Sequence, residues 1–399
     1  MNFTELALSR AGAADLKEFQ AREGLFPSGR EDALTVQRLT PYLLGYRRYT
    51  VKAGDTFYRL AREYDTTVQA IARANPEQDP RRLAIGQNLN IPFGFPVVPT
   101  DLPFTSELLA LCIHGLTVRY PFITQRQIAV TAGGRPVTVL KIGCGQRSVL
   151  YNAAHHANEW ITVPLVMKFL EDYARAISEN RAIYELSAQQ LFRRTQLYLV
   201  PMVDPDGVDL VTGAIPPGSS EYAAAQRIAD FFPAIPFPSG WKANLRGVDL
   251  NLNYPAGWEQ AEQNKRALGY GRPAPRDFVG YAPLDQPETA AMARLTRQVN
   301  PRLTLSFHSQ GEVIYWKYLD REPPDALGIG QMFSQVSGYA LEETPYASAF
   351  AGYKDWFIQE YDRPGYTVEV GLGENPLPLS QFDEIYKANL GILTLGLQL

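Results

Sequence analysis

Cysteine is scarce in this chain of 399 residues: there are two, Cys112 and Cys144. They cannot make a C-x-x-C metal site, and two alone are no disulfide framework, so the expectation is a pair of thiols, with a single bridge as the alternative. Charge of one sign is lacking too. The 38 Lys and Arg residues against 42 Asp and Glu residues leave a net charge of -4, which gives no electrostatic case for nucleic acid. No stretch approaches the roughly 18 apolar residues of a membrane span. The segment Met1-Asn2-Phe3-Thr4-Glu5 lacks both a basic and an apolar signal-peptide region. That leaves the compartment open between cytoplasm, export by another route and processing of a longer chain. What remains is ordinary globular composition, 45% hydrophobic and 20% charged, with room for one large domain and small ones.

Residues 1–47 read as helical. Leu16, Phe19 and Gln20 keep helical spacing, Pro27-Ser28-Gly29 breaks it, and the stretch from Ala33 to Leu44 resumes it. Residues 48–93 read β-α-α-β. Tyr49-Thr50-Val51 is a strand, Gly54-Asp55-Thr56 turns into a helix from Phe57, and Thr66-Thr67 starts a second helix ended by Asn75-Pro76. A closing strand through Leu89-Asn90-Ile91-Pro92 follows Gly86-Gln87. This order of markers resembles a LysM module, which implies binding to N-acetylglucosamine chains of peptidoglycan or chitin; a ligand-free βααβ spacer is the alternative. The first segment resembles part of a helical peptidoglycan-binding module, or else is an ordinary helical hairpin. Proline-rich residues 94–104 read as a linker.

From 105 to 399, strands alternate with helices, the pattern of an α/β domain with a mixed sheet flanked by helices. One strand runs through Val149-Leu150-Tyr151 into Ala153-Ala154-His155-His156-Ala157-Asn158-Glu159-Trp160. His156 and Glu159, three residues apart, can aim an imidazole and a carboxylate at one point, a combination that suits Zn²⁺. Such a pair is common by chance, so the reading needs a third ligand. His308 supplies one, at the end of the apolar strand Leu303–Phe307, where open α/β sheets place their ligands.

These segments, with Gly247-Val248-Asp249-Leu250-Asn251 and Tyr366-Thr367-Val368-Glu369, occur in the order of the zinc carboxypeptidase family, which the chain resembles over residues 105–399. The resemblance implies one zinc ion held by His156, Glu159 and His308, with Glu369 as the catalytic carboxylate. Glu374, in the loop beyond that strand, is the poorer base. Asp249 is expected to hold a zinc histidine from behind, its alternative being a turn cap. Lys242 follows Trp241 where the family has its oxyanion-stabilising arginine, with Arg246 as the alternative. His155 is expected to bond within the core.

Two departures bear on specificity. The family's G-V-D-x-N-R arginine, which grips a terminal carboxylate, falls here on Leu252, next to Asn251. The family's loop tyrosine falls on Ala347, so Tyr346 replaces it only if the loop shifts by one residue. Lys354 stands where the family reads the side chain after the cut; there it favours a carboxylate such as that of meso-diaminopimelate, or is simply solvated. Together with a glycan-binding module, these features resemble the bacterial γ-D-glutamyl-meso-diaminopimelate peptidases of the family. The implied partners are peptidoglycan glycan chains and stem peptides. A zinc carboxypeptidase of broader specificity, or a glycan-binding protein with an inactive peptidase domain, are the alternatives.

Overall fold

A computed structural model describes residues 2–399, so Met1 lies outside the described residues. The chain divides into two compact units, one of residues 1–102 with 107–124, the other of 103–106 with 125–399.

In the first unit, helix Phe3–Ala11 starts on a reciprocal cap between Asn2 and Glu5, and helices Leu16–Arg22 and Ala33–Leu44 start on Asp15 and Asp32. The βααβ order appears as expected: strand Tyr46–Thr50 pairs antiparallel with Asn88–Pro92, and helices Phe57–Glu63 and Val68–Ala74, capped by Thr56 and Thr67, lie between them in sequence. The side chain of Asn75 ties the second helix to the closing strand. It donates to the Ile71 and Asn90 carbonyls at 2.7 Å each and accepts from the Asn90 amide at 2.8 Å.

Residues 94–104, expected to be the linker, include the boundary between the two units and are packed. Val97, Val98, Leu102 and Phe104 are buried, and Arg10 and Arg119 donate to the carbonyls of Pro96, Val97 and Phe95. The prolines set an extended path, but the apolar residues between them pack. Helix Ser106–Arg119 groups largely with this unit rather than with the large domain. A Cβ on its Gly115 would meet the Leu44 carbonyl oxygen at 2.2 Å, so glycine permits the close approach.

The second unit is built on eight strands, numbered here within that unit. They are β1 Thr124–Val130, β2 Pro136–Ile142, β3 Arg147–Ala153, β4 Thr195–Val200, β5 Leu303–His308, β6 Val313–Tyr315, β7 Ala340–Glu342 and β8 Gly365–Glu369. Their order across the sheet is β7-β6-β8-β5-β3-β4-β2-β1. The four central strands β8, β5, β3 and β4 run parallel, while β6 and β2 join antiparallel on either side. The sheet is mixed, as its sequence pattern predicts.

Side chains alternate between two helical layers. Leu150 shares a core with Met292 and Leu295 of α1 (Pro287–Val299) and with Tyr353 and Trp356 of α2 (Tyr353–Tyr361). Its neighbour Tyr151 points to the other face and donates its hydroxyl to the Leu393 carbonyl of α3 (Phe382–Gln398) at 3.0 Å. β3 is therefore buried on both faces, and a polar turn at its end is held by a rigid base. Cys112 is buried, Cys144 is exposed, and no bridge joins them. No helix among the described residues is long and apolar enough to cross a membrane.

Candidate metal centre and cleft

The parallel strands β3, β5 and β8 deliver their ends to one edge of the sheet, and each brings a functional residue. After Ala153 the chain turns through Ala154, at a φ of 49°, into a short 3₁₀ turn, Ala157–Glu159. The hydroxyl of Thr162 stitches this turn, accepting from the Ala154 amide at 3.1 Å and donating to the Glu159 carbonyl at 2.7 Å. His308 is the last residue of β5. Glu369 is the last residue of β8 and pairs with His308 in register.

His156, Glu159 and His308 are buried and converge, offering one donor atom each within 4.8 Å of one another. His156 Nδ1 lies 2.8 Å from Glu159 Oε1, and His308 Nδ1 lies 2.9 Å from Glu159 Oε2 and 3.2 Å from His156 Nδ1. On its far side, His156 Nε2 contacts Asp249 Oδ1 at 3.0 Å. Asp249 also accepts from the amides of Asn251 and Asp277, at 3.2 Å each. A carboxylate behind an imidazole sets its tautomer and leaves the inward nitrogen as a ligand. Asp249 stands where the sequence places a histidine-holding carboxylate, and it also accepts from the turn amide its alternative reading requires.

Acidic neighbours set the charge state of His156. Burial alone would lower the His156 imidazole, but Glu159 and Asp249 outweigh it and push it up to about 9. Burial likewise opposes charge on Glu159, yet His156, Lys242 and His308 hold its carboxyl well below the usual range. Two imidazole nitrogens and a carboxylate aimed at one buried point fit the nitrogen and oxygen donor set of zinc.

Lys242 places Nζ 3.0 Å from Glu159 Oε1. Its segment is held against the ligand turn by the Ala157 amide, which donates to the Lys242 carbonyl at 3.1 Å. Burial opposes its charge, but Glu159 and Asp249 raise its pKa above the ordinary value, so the ammonium is retained. Arg246 is exposed and lines neither cavity of the cleft. His155 is buried with Nε2 3.0 Å from the Tyr254 hydroxyl, a core contact as expected. The Glu369 carboxyl is pushed up to about 8 by burial and by the charge of Glu159 beside it.

The cleft has two cavities that share Lys242, Arg276, Tyr315 and Glu369. One, of about 280 Å³, also takes in Asn251, Leu252 and Lys354; the other, of about 780 Å³, takes in Ser309, Asn375 and the exposed Glu374. Asn251 accepts from the Tyr353 amide at 3.0 Å. Leu252 packs beside Trp258 and Phe350, offering the cavity an apolar wall.

Two expectations for the cleft need correction. Lys354 lines the first cavity, but its ammonium is buried and committed. It donates to the Lys317 carbonyl at 2.6 Å and the Thr344 hydroxyl at 3.2 Å, and pairs with Asp355 at 2.6 Å. A cation neutralised this way has little left for a substrate carboxylate. Tyr346 is 67% exposed, stands edge-on to Phe350 at 5.1 Å and lies outside the metal cleft in this structure. Arg276 and Tyr315 were not visible as site residues in the sequence, because no motif spacing marks them.

The family model for zinc carboxypeptidase matches residues 111–391, and that for the LysM domain matches residues 49–92. The chain is 47% identical over 287 residues to gamma-D-glutamyl-L-diamino acid endopeptidase 1 of Lysinibacillus sphaericus, covering 72% of this chain and 70% of that protein. It is 39% identical over 277 residues to the uncharacterized protein YqgT of Bacillus subtilis (strain 168), covering 69% and 72% respectively. Among solved structures, bovine thrombin-activatable fibrinolysis inhibitor superposes with a TM-score of 0.57 at 18% identity, covering 75% of this chain and 97% of that one. Carboxypeptidase A from Helicoverpa armigera gives 0.55 at 18% identity, covering 86% and 80%. At these identities the two structures share the fold.

Proposed function

The chain belongs to the zinc carboxypeptidase family and carries a LysM domain, and from that premise we propose that it hydrolyses the bond between the γ-carboxyl of D-glutamate and meso-diaminopimelate in peptidoglycan stem peptides. The observation that carries the substrate is the 47% identity to a protein named for an activity of that kind. The cleft supports it: with Leu252 in place of the family's arginine, nothing at that position grips the terminal carboxylate that a simple carboxypeptidase requires.

His156, Glu159 and His308 would hold the zinc, which would supply Lewis acidity and an acidified water when bound. Glu369 takes the proton of the attacking water at its carboxylate and passes it to the leaving amine of the diamino acid. The Lys242 ammonium steadies the negative charge that develops on the scissile carbonyl oxygen. Asp249 keeps the His156 ring in the ligating tautomer through Nε2. Asn251, held by the Tyr353 amide, faces the leaving group together with Leu252.

Digestion of the tetrapeptide L-Ala-γ-D-Glu-meso-diaminopimelate-D-Ala, followed by mass spectrometry, tests the reading. The expected fragment is L-Ala-D-Glu. Stem peptides that stay intact at the γ bond while losing only a C-terminal residue would favour a carboxypeptidase of broader specificity.

The LysM domain recruits the enzyme to glycan. Binding of the whole protein to insoluble peptidoglycan is expected to fall when soluble N-acetylglucosamine oligomers are added, while hydrolysis of a soluble stem peptide continues unchanged. Pull-down that ignores the oligomers would remove the recruiting role.

A further inference from the structure

A γ-linked glutamyl residue differs from an α-linked one in a way that a binding site can read. Its α-carboxylate stays free, a few bonds from the scissile carbonyl, on the acyl side of the cut. An enzyme that selects this bond gains from a cation placed there. Leu252 supplies no charge, and the Lys354 ammonium is spent on Lys317, Thr344 and Asp355. Lys265 is paired with Asp277 at 2.5 Å, and Lys242 lies against Glu159.

Resting on the function proposed above, we propose that Arg276 is the specificity-determining cation of the cleft and binds the free α-carboxylate of the γ-linked D-glutamyl residue. Arg276 lines both cavities beside Glu369 and Lys242, which puts it at the junction where the scissile bond lies. Its Nε donates to Asp277 Oδ2 at 2.7 Å, and its two terminal nitrogens have no hydrogen-bond or ion-pair partner among the described residues. The guanidinium side chain is 44% exposed, open enough to receive a ligand.

The arginine also stands on fixed ground. The carbonyl of the preceding Pro275 accepts from the amides of Lys242 and Ala243, at 2.8 and 3.0 Å. The amide of the following Asp277 donates to Asp249, the residue behind His156. The backbone on either side of Arg276 is therefore pinned to the oxyanion lysine and to the partner of a metal ligand. Anchored through Nε, the guanidinium presents its two terminal nitrogens as a fork, the geometry that grips a carboxylate bidentately. This restores, from a different segment, the kind of contact that Leu252 removes.

The test compares two stem peptides that differ only at D-glutamate, one with the free α-carboxylate and one with its carboxamide. The wild-type zinc enzyme should favour the carboxylate by about ten- to a hundredfold in kcat/KM, the scale of a charge-assisted bidentate contact. Arg276→Ala should bring that ratio to within about threefold of unity, and Arg276→Lys should keep part of it. Zinc content and thermal midpoint establish that each variant is folded. A second readout is calorimetric binding of both peptides to zinc-loaded Glu369→Gln protein with and without Arg276→Ala, where the same ratio should appear and vanish. A wild type that cleaves both peptides without preference, or a preference that survives Arg276→Ala, overturns the assignment while leaving the proposed function intact. A wild type that cleaves neither overturns the proposed function itself.

Discussion

Replacing Glu369 by glutamine should lower kcat on the stem peptide by roughly 10²–10⁴-fold while the protein still carries one zinc, because the amide keeps the shape of the side chain and loses the proton acceptor. The placement makes the expectation specific. Glu369 is the last residue of its strand, paired in register with the ligand His308, and lines both cavities of the cleft. Without a metal, burial and Glu159 push its carboxyl up to about 8, which keeps it protonated below that pH and unable to act as a base. A dication at the ligands would act in the opposite direction and favour the ionised carboxylate. Metal occupancy and base strength are thus linked, and zinc analysis must accompany the kinetics. Turnover close to wild type in a zinc-loaded Glu369→Gln protein would move the role elsewhere, first to Glu374 in the second cavity.

His308→Ala is expected to abolish activity by a different route. It removes one of three converging donors and leaves Glu159 and His156 to hold the metal alone. Changing a residue behind a ligand already costs about 10–100-fold in metal affinity, and losing a ligand should cost more. Dialysed His308→Ala protein should therefore contain well under one zinc per chain, with turnover at background. Folding need not suffer as much, since β5 keeps its ladder on both sides through backbone bonds. Full zinc occupancy in this variant would dismantle the ligand assignment.

Much of the centre was legible in the sequence for a physical reason. His308 and Glu369 end apolar strands and the His156–Glu159 turn follows one; buried strands announce themselves as apolar runs whose polar ends stand out. Lys242 could be found from its neighbour Trp241. Arg276 could not, because a backbone carbonyl, that of Pro275, brings it to the cleft, and a carbonyl carries no side-chain signature. Tyr315 escaped for a similar reason, lying on a three-residue strand too short to show alternation. Lys354 was legible in position and misleading in role, since its partners Lys317 and Thr344 lie far away in sequence. In the segment 94–104 the prolines dominate the composition, and they hide the packing of Val97, Val98 and Leu102 between them.

The in-register pairing of Glu369 with His308 means that their separation is set by the spacing of adjacent strands, close to 4.8 Å, and not by any loop. Leu252 and Arg276, the residues proposed to read the substrate, sit on connecting segments outside the eight strands. The spacing of the Glu369–His308 pair is thereby independent of the segment that carries Arg276. An engineer seeking a new cleavage preference could rebuild the segment around Arg276 while sparing Asp277's amide and Pro275's carbonyl, and the distance over which the proton must travel would stay as it is.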